Sequence, residues 1–407
     1  MTIIDIYENS SYTLGKEYIE EFKQLLTENK DLPMALQGET IIFDSYIIGS
    51  VRIKDLVINI QPRIANLSTN HYLEIQLYNE GILNDKISSL LGENESFGIQ
   101  ENLIELFLKE AYELVNHGVE GDFIKVREET NKVRGKILVE EISPVNLFQD
   151  KIPIEYEVHT LSTPYNKIIK LALDKVKIIG RKDRHIKLHT IVNSYFDEIE
   201  ANITDLPFYV LEKEMKIHFE NEKYPIVLGL AEKILKDLKM NLKSNQVTSS
   251  SYLVNSNSLF EKYVRKVLSN HIKLNVSKWD KAKRMGKFKI GSNEYIKSYS
   301  PDIMIDYHND TNSAFAVLDA KNKDISNYNK IGRISDLYQI LFYCHALESS
   351  YGGLVYPYYG SLSPIKINID SFKETNLFSF SVDFSKPIKE RNTIFADFVK
   401  TTLGLID

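Results

Sequence analysis

The chain has 407 residues, 43% hydrophobic and 26% charged, the balance of an ordinary water-soluble globular protein long enough for two or three domains. Its 50 Lys and Arg against 56 Asp and Glu leave a formal charge of −6, which excludes nucleic-acid binding by bulk charge and leaves that role to a local basic patch. The single cysteine, Cys344, excludes an intrachain disulfide and fits a reducing, cytoplasmic compartment; no apolar run approaches the roughly 20 residues of a membrane span, and the N-terminus lacks the basic and apolar regions of a secretion signal.

Residues 1 to 30 read as a short strand and an amphipathic helix, with Tyr18, Ile19, Phe22, Leu25 and Leu26 at helical spacing. Residues 40 to 64 read as β structure. Thr40–Phe43 and Tyr46–Ile53 are followed by a turn at Lys54-Asp55, and Leu56–Ile64 alternates Ile58 and Ile60 with Asn59 and Gln61 before stopping at Pro62. Residues 101 to 118 predict a helix from an Asn102 cap to Gly118, with Leu103, Phe107, Ala111 and Leu114 as its apolar stripe. A β-like stretch over 122–142 carries Lys125, Arg127, Glu129 and Lys132, more in keeping with a solvated strand face than with a partner surface.

Residues 160 to 200 read as helical, with a basic run at Arg181–Lys187 between two helices that could meet phosphates or an acidic partner but reads more readily as a solvated surface. Residues 203 to 240 suggest a helix pair broken at Tyr224-Pro225. The stretch 241–258, rich in Asn, Ser, Thr and Gln around Ser249-Ser250-Ser251, has the composition of a linker between domains. A helix follows, capped by Asn257 or Ser258, with Glu261 in its first turns. The most basic window holds Lys278, Lys281, Lys283, Arg284, Lys287 and Lys289 against one acid, Asp280, with Trp279 and Phe288 interleaved, a composition suited to a DNA backbone. Residues 350 to 384 suggest closing strands, and Thr393–Leu403 a last helix.

The strongest chemical signal lies between these. Ser300–Asp306 and Ala314–Lys321 flank the polar turn His308–Asn312, the pattern of a β-hairpin. Centring the turn between Asp310 and Thr311 sets Asp302 opposite Asp319, and strand alternation points Lys321 the same way as Asp319. Two facing carboxylates repel, and one lysine offsets only part of that. A divalent, oxygen-seeking cation such as Mg²⁺ would neutralise the pair, leaving the lysine to orient or deprotonate water or to stabilise phosphoryl charge. On spacing alone a surface hairpin with an incidental ion pair is an equal reading. Downstream, Ser335–Ala346 is helix-like, and Gln339 and Tyr343 share one face. No GxxxxGK(S/T) loop occurs, Leu14-Gly15-Lys16-Glu17 being the nearest approach, so no nucleotide is expected to bind this chain; no HExxH, CxxC or GxSxG signals zinc or an activated serine. His345 reads as a core or rim residue.

The order helical Glu261, Pro301-Asp302, Asp319-Ala320-Lys321, then Gln339-x-x-x-Tyr343 resembles the PD-(D/E)xK nuclease superfamily in its RecB-like QxxxY variant. That resemblance implies a metal-dependent phosphodiesterase: Asp302 and Asp319 as ligands, Glu261 as a further ligand or supporting group, Lys321 positioning water, and Gln339 and Tyr343 supporting the site or touching the phosphate backbone. A second resemblance runs along the chain. Gly49-Ser50-Val51 with Ile58-Asn59-Ile60-Gln61-Pro62-Arg63-Ile64, then Lys132-Val133-Arg134-Gly135-Lys136-Ile137, Thr163–Lys170 and Leu259–Tyr263 are similar to segments of the McrC family, the nuclease subunits of McrBC-type modification-dependent restriction systems. It implies an α+β N-terminal domain (1–155) docking on a McrB-like hexameric AAA+ GTPase and stimulating it, a helical connecting region (156–250) and an α/β PD-(D/E)xK restriction-endonuclease-like domain (251–407), acting with Mg²⁺ on double-stranded, modified DNA and not at a membrane. A non-catalytic activator of an AAA+ motor and a standalone RecB-like repair nuclease are the alternatives.

Overall fold

The computed structural model describes residues 2–93, 98–179, 183–202, 219–243, 246–290, 293–369 and 375–405. Internal contacts divide the mixed α/β chain into two compact units: Met1–Asn102 with Lys239–Lys243 and Thr248–Asp407, and Leu103–Leu238 with Ser244–Val247. These units do not follow the three segments marked out by the sequence, because the N-terminal strands and the hairpin share one unit.

In the first unit a five-stranded sheet runs in the order Thr2–Tyr7, Leu56–Gln61, Ile47–Ile53, Gln246–Asn255, Lys239–Lys243. The Lys54-Asp55 turn joins two of its antiparallel strands as expected. Phe22 and Leu25 of the helix Lys16–Glu28 are fully buried in its core with Ile41, Val51, Ile58 and Ile60. Gly49 has φ +138°, and a Cβ there would stand 2.0 Å from the Tyr252 carbonyl oxygen, so only glycine fits this crossing of the Ile47–Ile53 and Gln246–Asn255 strands.

The stretch 241–258 is not the linker its composition suggests. Gln246–Asn255 is an interior strand, and Ser249, Ser250 and Ser251 are fully buried opposite Ile53, Arg52 and Val51. Serine's loop-like composition is overridden by tertiary pairing, and the Gln100 amide donates to the Ser250 hydroxyl at 3.0 Å.

The same unit holds a six-stranded sheet ordered Val276–Ser277, Ile303–His308, Ser313–Ala320, Tyr351–Tyr358, Asn376–Asp383, Ile365–Ile367. Ser313–Ala320 pairs antiparallel with Ile303–His308 and parallel with Tyr351–Tyr358, and the helix Ile334–Ala346 makes the crossover. A Cβ on Gly352 would meet Leu377 at 2.6 Å and the Cys344 sulfur at 2.7 Å, so the crossover helix rests almost on bare backbone. Cys344 is buried, and burial pushes its thiol up to about 12, as befits an inert core residue. The helices Thr69–Glu80, Ser256–His271 and Ile388–Leu403 pack together; between them the buried Arg391 donates to Glu74 at 2.6 Å and to the Tyr263 hydroxyl at 2.9 Å.

The second unit begins within the helix Ile99–His117, which starts earlier than expected: Asn102 is not its cap but a buried helical residue whose amide donates to Asn70 at 2.7 Å. Gly118 (φ +104°) follows its last turn. Helices Pro164–Ile179, Asp183–Ser194 and Tyr224–Lys236 follow, with a three-stranded sheet ordered Asp122–Thr130, Ile152–Thr160, Lys136–Ile137. Tyr224-Pro225 starts a helix, where proline's missing N–H costs nothing, rather than breaking one. Asn166 is fully buried, donates to the Glu120 and Leu161 carbonyls and accepts from the Tyr224 hydroxyl, so its segment serves folding. Residues 203–218 of the expected helix pair, and Arg181 and Lys182 of the basic run, lie outside the described residues. Among the described residues no helix is long and apolar enough to cross a membrane.

His71, in the helix Thr69–Glu80, accepts from the Ser68 N–H at 3.1 Å and sits edge-on to Phe384. Burial first, and the Arg391 charge second, lower its imidazole from 6.5 to about 4. The unfolded chain therefore takes up a proton there that the folded one refuses, and stability falls as pH drops from 6.5 toward 4, by about 3 kcal/mol at full effect. We predict that His71→Gln flattens the acid limb of the melting-temperature profile in this window, while above pH 7 the profile keeps the slope of the wild type whatever its offset.

Candidate active site

The hairpin register is the one the sequence implies. Ile303 faces Leu318, Met304 faces Val317 and Ile305 faces Ala316, which carries Asp302 to the position across from Asp319. Asp302 is pinned there: its Oδ2 accepts from the Ala320 N–H at 3.1 Å, and its carbonyl accepts from Arg265 Nη1 at 3.1 Å. Asp319 is 1% exposed at the end of a buried central strand. The Lys321 amine ion-pairs with Asp319 and donates to Gln339 Oε1 at 2.7 Å. Gln339 Nε2 donates to the Tyr343 hydroxyl at 2.8 Å, and that hydroxyl donates to the Ser300 carbonyl at 3.4 Å. The expected Gln–Tyr face thus holds the lysine from one side and the hairpin from the other.

Glu261 arrives on the helix Ser256–His271. Its cap is Asn255, not Asn257 or Ser258: the Asn255 side chain accepts from the Ser258 N–H at 2.9 Å. Asn257 instead donates to Glu261 Oε1 at 2.6 Å. Glu261 Oε2 and Asp302 Oδ1 both meet the Lys278 amine, at 3.2 and 3.4 Å. The structure therefore brings together Glu261, Asp302, Asp319, Lys321, Gln339 and Tyr343, and adds Lys278, which the sequence grouped with surface cations.

The electrostatics are those of a site short of positive charge. Burial first, and the adjacent Asp302 charge second, push the Asp319 carboxyl up to about 7 against the pull of Lys321. Burial and then Asp302 also raise Glu261. Burial alone would lower the Lys321 amine, but Asp319 outweighs it and the net direction is upward. Carboxylates are the donors a hard cation of the Mg²⁺ class takes, and Glu261, Asp302 and Asp319 are the ones that could supply them here. Among the described residues no group of three or more His, Cys, Asp or Glu stands arranged as a metal cage; here the ammonium groups of Lys278 and Lys321 rest against these carboxylates.

The rest of the basic window divides. Lys283 lies over the Trp279 ring at 4.4 Å and donates to Asn312 at 2.8 Å, anchoring the ribbon formed by Lys283–Ile290 and Asn293–Tyr299. Lys281, Arg284, Lys287 and Lys289 are exposed, Lys287 pairing with Glu294 at 3.1 Å.

A buried polar chain that the sequence did not signal locks the site elements. The Tyr72 hydroxyl donates to Asn322 Oδ1 at 2.7 Å, Asn322 Nδ2 donates to the Ser256 hydroxyl at 2.9 Å, and that hydroxyl donates to Glu8 Oε2 at 2.9 Å. Glu8 Oε1 accepts from the Arg63 N–H at 3.1 Å. Ser256 opens the helix bearing Glu261 and Asn322 follows Lys321, so the Pro62-Arg63 strand end is tied to both.

These features define a mixed α/β chain whose acidic hairpin, lysine and Gln–Tyr helix meet in one buried site. The family model described as "McrBC 5-methylcytosine restriction system component" matches residues 43–357, and the chain belongs to that family. A chain of the Thermococcus gammatolerans assembly of McrB AAA+ hexamers with bound McrC shares the fold at a TM-score of 0.70 and 17% identity, over 98% of this chain and 100% of that one. A chain of the Thermococcus gammatolerans McrBC complex is similar at a TM-score of 0.50 and 19% identity, over 66% of this chain and 88% of that one. No curated protein matches the sequence.

Ser256→Ala leaves the buried Glu8 carboxylate and the Asn322 amide each short of a partner. We expect it to cost about 1–3 kcal/mol in urea unfolding, against a far smaller change for the exposed Ser258→Ala.

Proposed function

We propose that this chain is the McrC-like nuclease subunit of a McrBC-type modification-dependent restriction complex, a Mg²⁺-dependent DNA endonuclease whose 251–407 segment is a PD-(D/E)xK domain. The observation that carries this reading is the meeting of Asp302, Asp319 and Lys321 at one end of the hairpin, with Lys321 aimed by Gln339. A purely structural hairpin has no use for a buried carboxyl beside a second one.

Glu261, Asp302 and Asp319 would hold the metal, which when bound neutralises phosphate charge and makes water more acidic. Lys321, kept in place by Asp319 and Gln339, donates to the attacking water or to a phosphate oxygen. Tyr343 fixes Gln339 and so the direction of the lysine. In the hydrolysis the water gives up a proton to solvent as its oxygen bonds to phosphorus, the bond to the leaving oxygen breaks, and that oxygen takes up a proton from solvent. Lys281, Arg284, Lys287 and Lys289 on the exposed ribbon suit contacts with phosphates flanking the cut, while Lys283 supports the ribbon.

The chain would dock on a McrB-like hexameric AAA+ GTPase and stimulate it, with nucleotide and the modified base read by that partner. Exposed apolar side chains in the segment 122–160, among them Phe123, Val133, Val139, Val145 and Phe148 at 92% exposure, support a protein-docking role for this region.

The test is cleavage of methylated and unmethylated plasmid with Mg²⁺, with and without the AAA+ protein encoded alongside and its nucleotide. We expect cutting to need partner, nucleotide and methylation. Asp319→Ala and Lys321→Ala should each lower it by about 10²-fold or more while partner NTP hydrolysis stays stimulated. Equal cutting by wild type and Asp319→Ala would overturn the site, and cutting of plain DNA by the chain alone would favour a standalone repair nuclease.

A further inference from the structure

Lys278 is separated from the cations that surround it in sequence. The short strand Val276–Ser277 pairs with Ile305 and Met304, and its register carries Lys278 toward Ile303, the neighbour of Asp302, before the chain enters the basic ribbon. Its side chain is 30% exposed, and its amine lies 3.2 Å from Glu261 Oε2 and 3.4 Å from Asp302 Oδ1. Lys321 is committed to Asp319 and Gln339. Arg265 spends a donor on the Asp302 carbonyl, not on its carboxylate. Among the described residues Lys278 is the cation in ion-pair contact with both Glu261 and Asp302.

We infer that Lys278 is an internal counter-ion of the metal centre: its ammonium bridges Glu261 and Asp302 while the cation is absent and yields those oxygens when the cation enters. The inference rests on the metal-centre reading above. A lysine suits the role because its charge rides on a flexible four-carbon stem and can swing away without moving the backbone. The carboxylates are thereby kept from repelling one another in the empty site, at the expense of cation affinity, because an entering ion must displace the amine and then face its charge.

The test is calorimetric binding of Ca²⁺, which takes the same oxygen donors, to the full chain without DNA. Wild type, Lys278→Met and Lys278→Arg are compared, with melting temperatures in EDTA and in saturating Ca²⁺. Removing the charge while keeping the length should tighten Ca²⁺ binding on the order of tenfold, whereas Lys278→Arg stays near wild type. In EDTA, Lys278→Met should melt below wild type, with Ca²⁺ closing the gap. Equal or weaker binding by Lys278→Met would overturn the inference and make Lys278 a positioning or DNA-contacting residue, as would equal tightening by Lys278→Arg. Ca²⁺ binding by neither wild type nor Lys278→Met, with both folded, would remove the metal-centre reading and this inference with it.

Discussion

Asp302 against Asp319 is the constraint around which the first unit is arranged. Nothing in hairpin geometry requires two carboxylates at opposed positions, and one of them is fully buried at the end of a central strand. Burial first, and the facing Asp302 charge second, push Asp319 toward taking up a proton. Each neighbouring feature limits that repulsion. Lys321 sits on Asp319, Lys278 on Asp302, and the Ala320 N–H holds the second Asp302 oxygen. The site tolerates its charge only because other elements deliver cations and donors at fixed positions.

That delivery depends on parts of the chain distant in sequence. The crossover helix carrying Gln339 and Tyr343 closes on the sheet because Gly352 offers no side chain beneath Cys344 and Ile340. The helix carrying Glu261 begins at Ser256, whose hydroxyl is shared with Asn322 and Glu8, so the N-terminal strands and the acidic hairpin form one scaffold. This explains why the first unit gathers both ends of the chain and the acidic site.

The hairpin was legible from sequence because two apolar runs flank a nearly symmetrical polar turn, which fixes the register and hence the Asp302–Asp319 opposition. The four-residue spacing of Gln339 and Tyr343 was legible for the same kind of reason, a helix face being set by arithmetic alone. Ser249-Ser250-Ser251 was misread because serine reports turn chemistry locally, while its burial was decided by the distant Ile47–Ile53 strand. The start at Ile99 was hidden because Gln100 and Asn102 interrupt the apolar pattern, yet both are buried and paired with Ser250 and Asn70. Lys278 could not be placed, since its position follows from a two-residue strand too short to show any period.

The most direct measurement is anomalous diffraction from crystals of the chain equilibrated with Mn²⁺, an ion that takes the same oxygen donors as Mg²⁺. The expected result is an anomalous peak held by carboxylate oxygens of Asp302 and Asp319. Full occupancy of Mn²⁺ elsewhere, with the acidic hairpin still bound only by its own lysines, would contradict it.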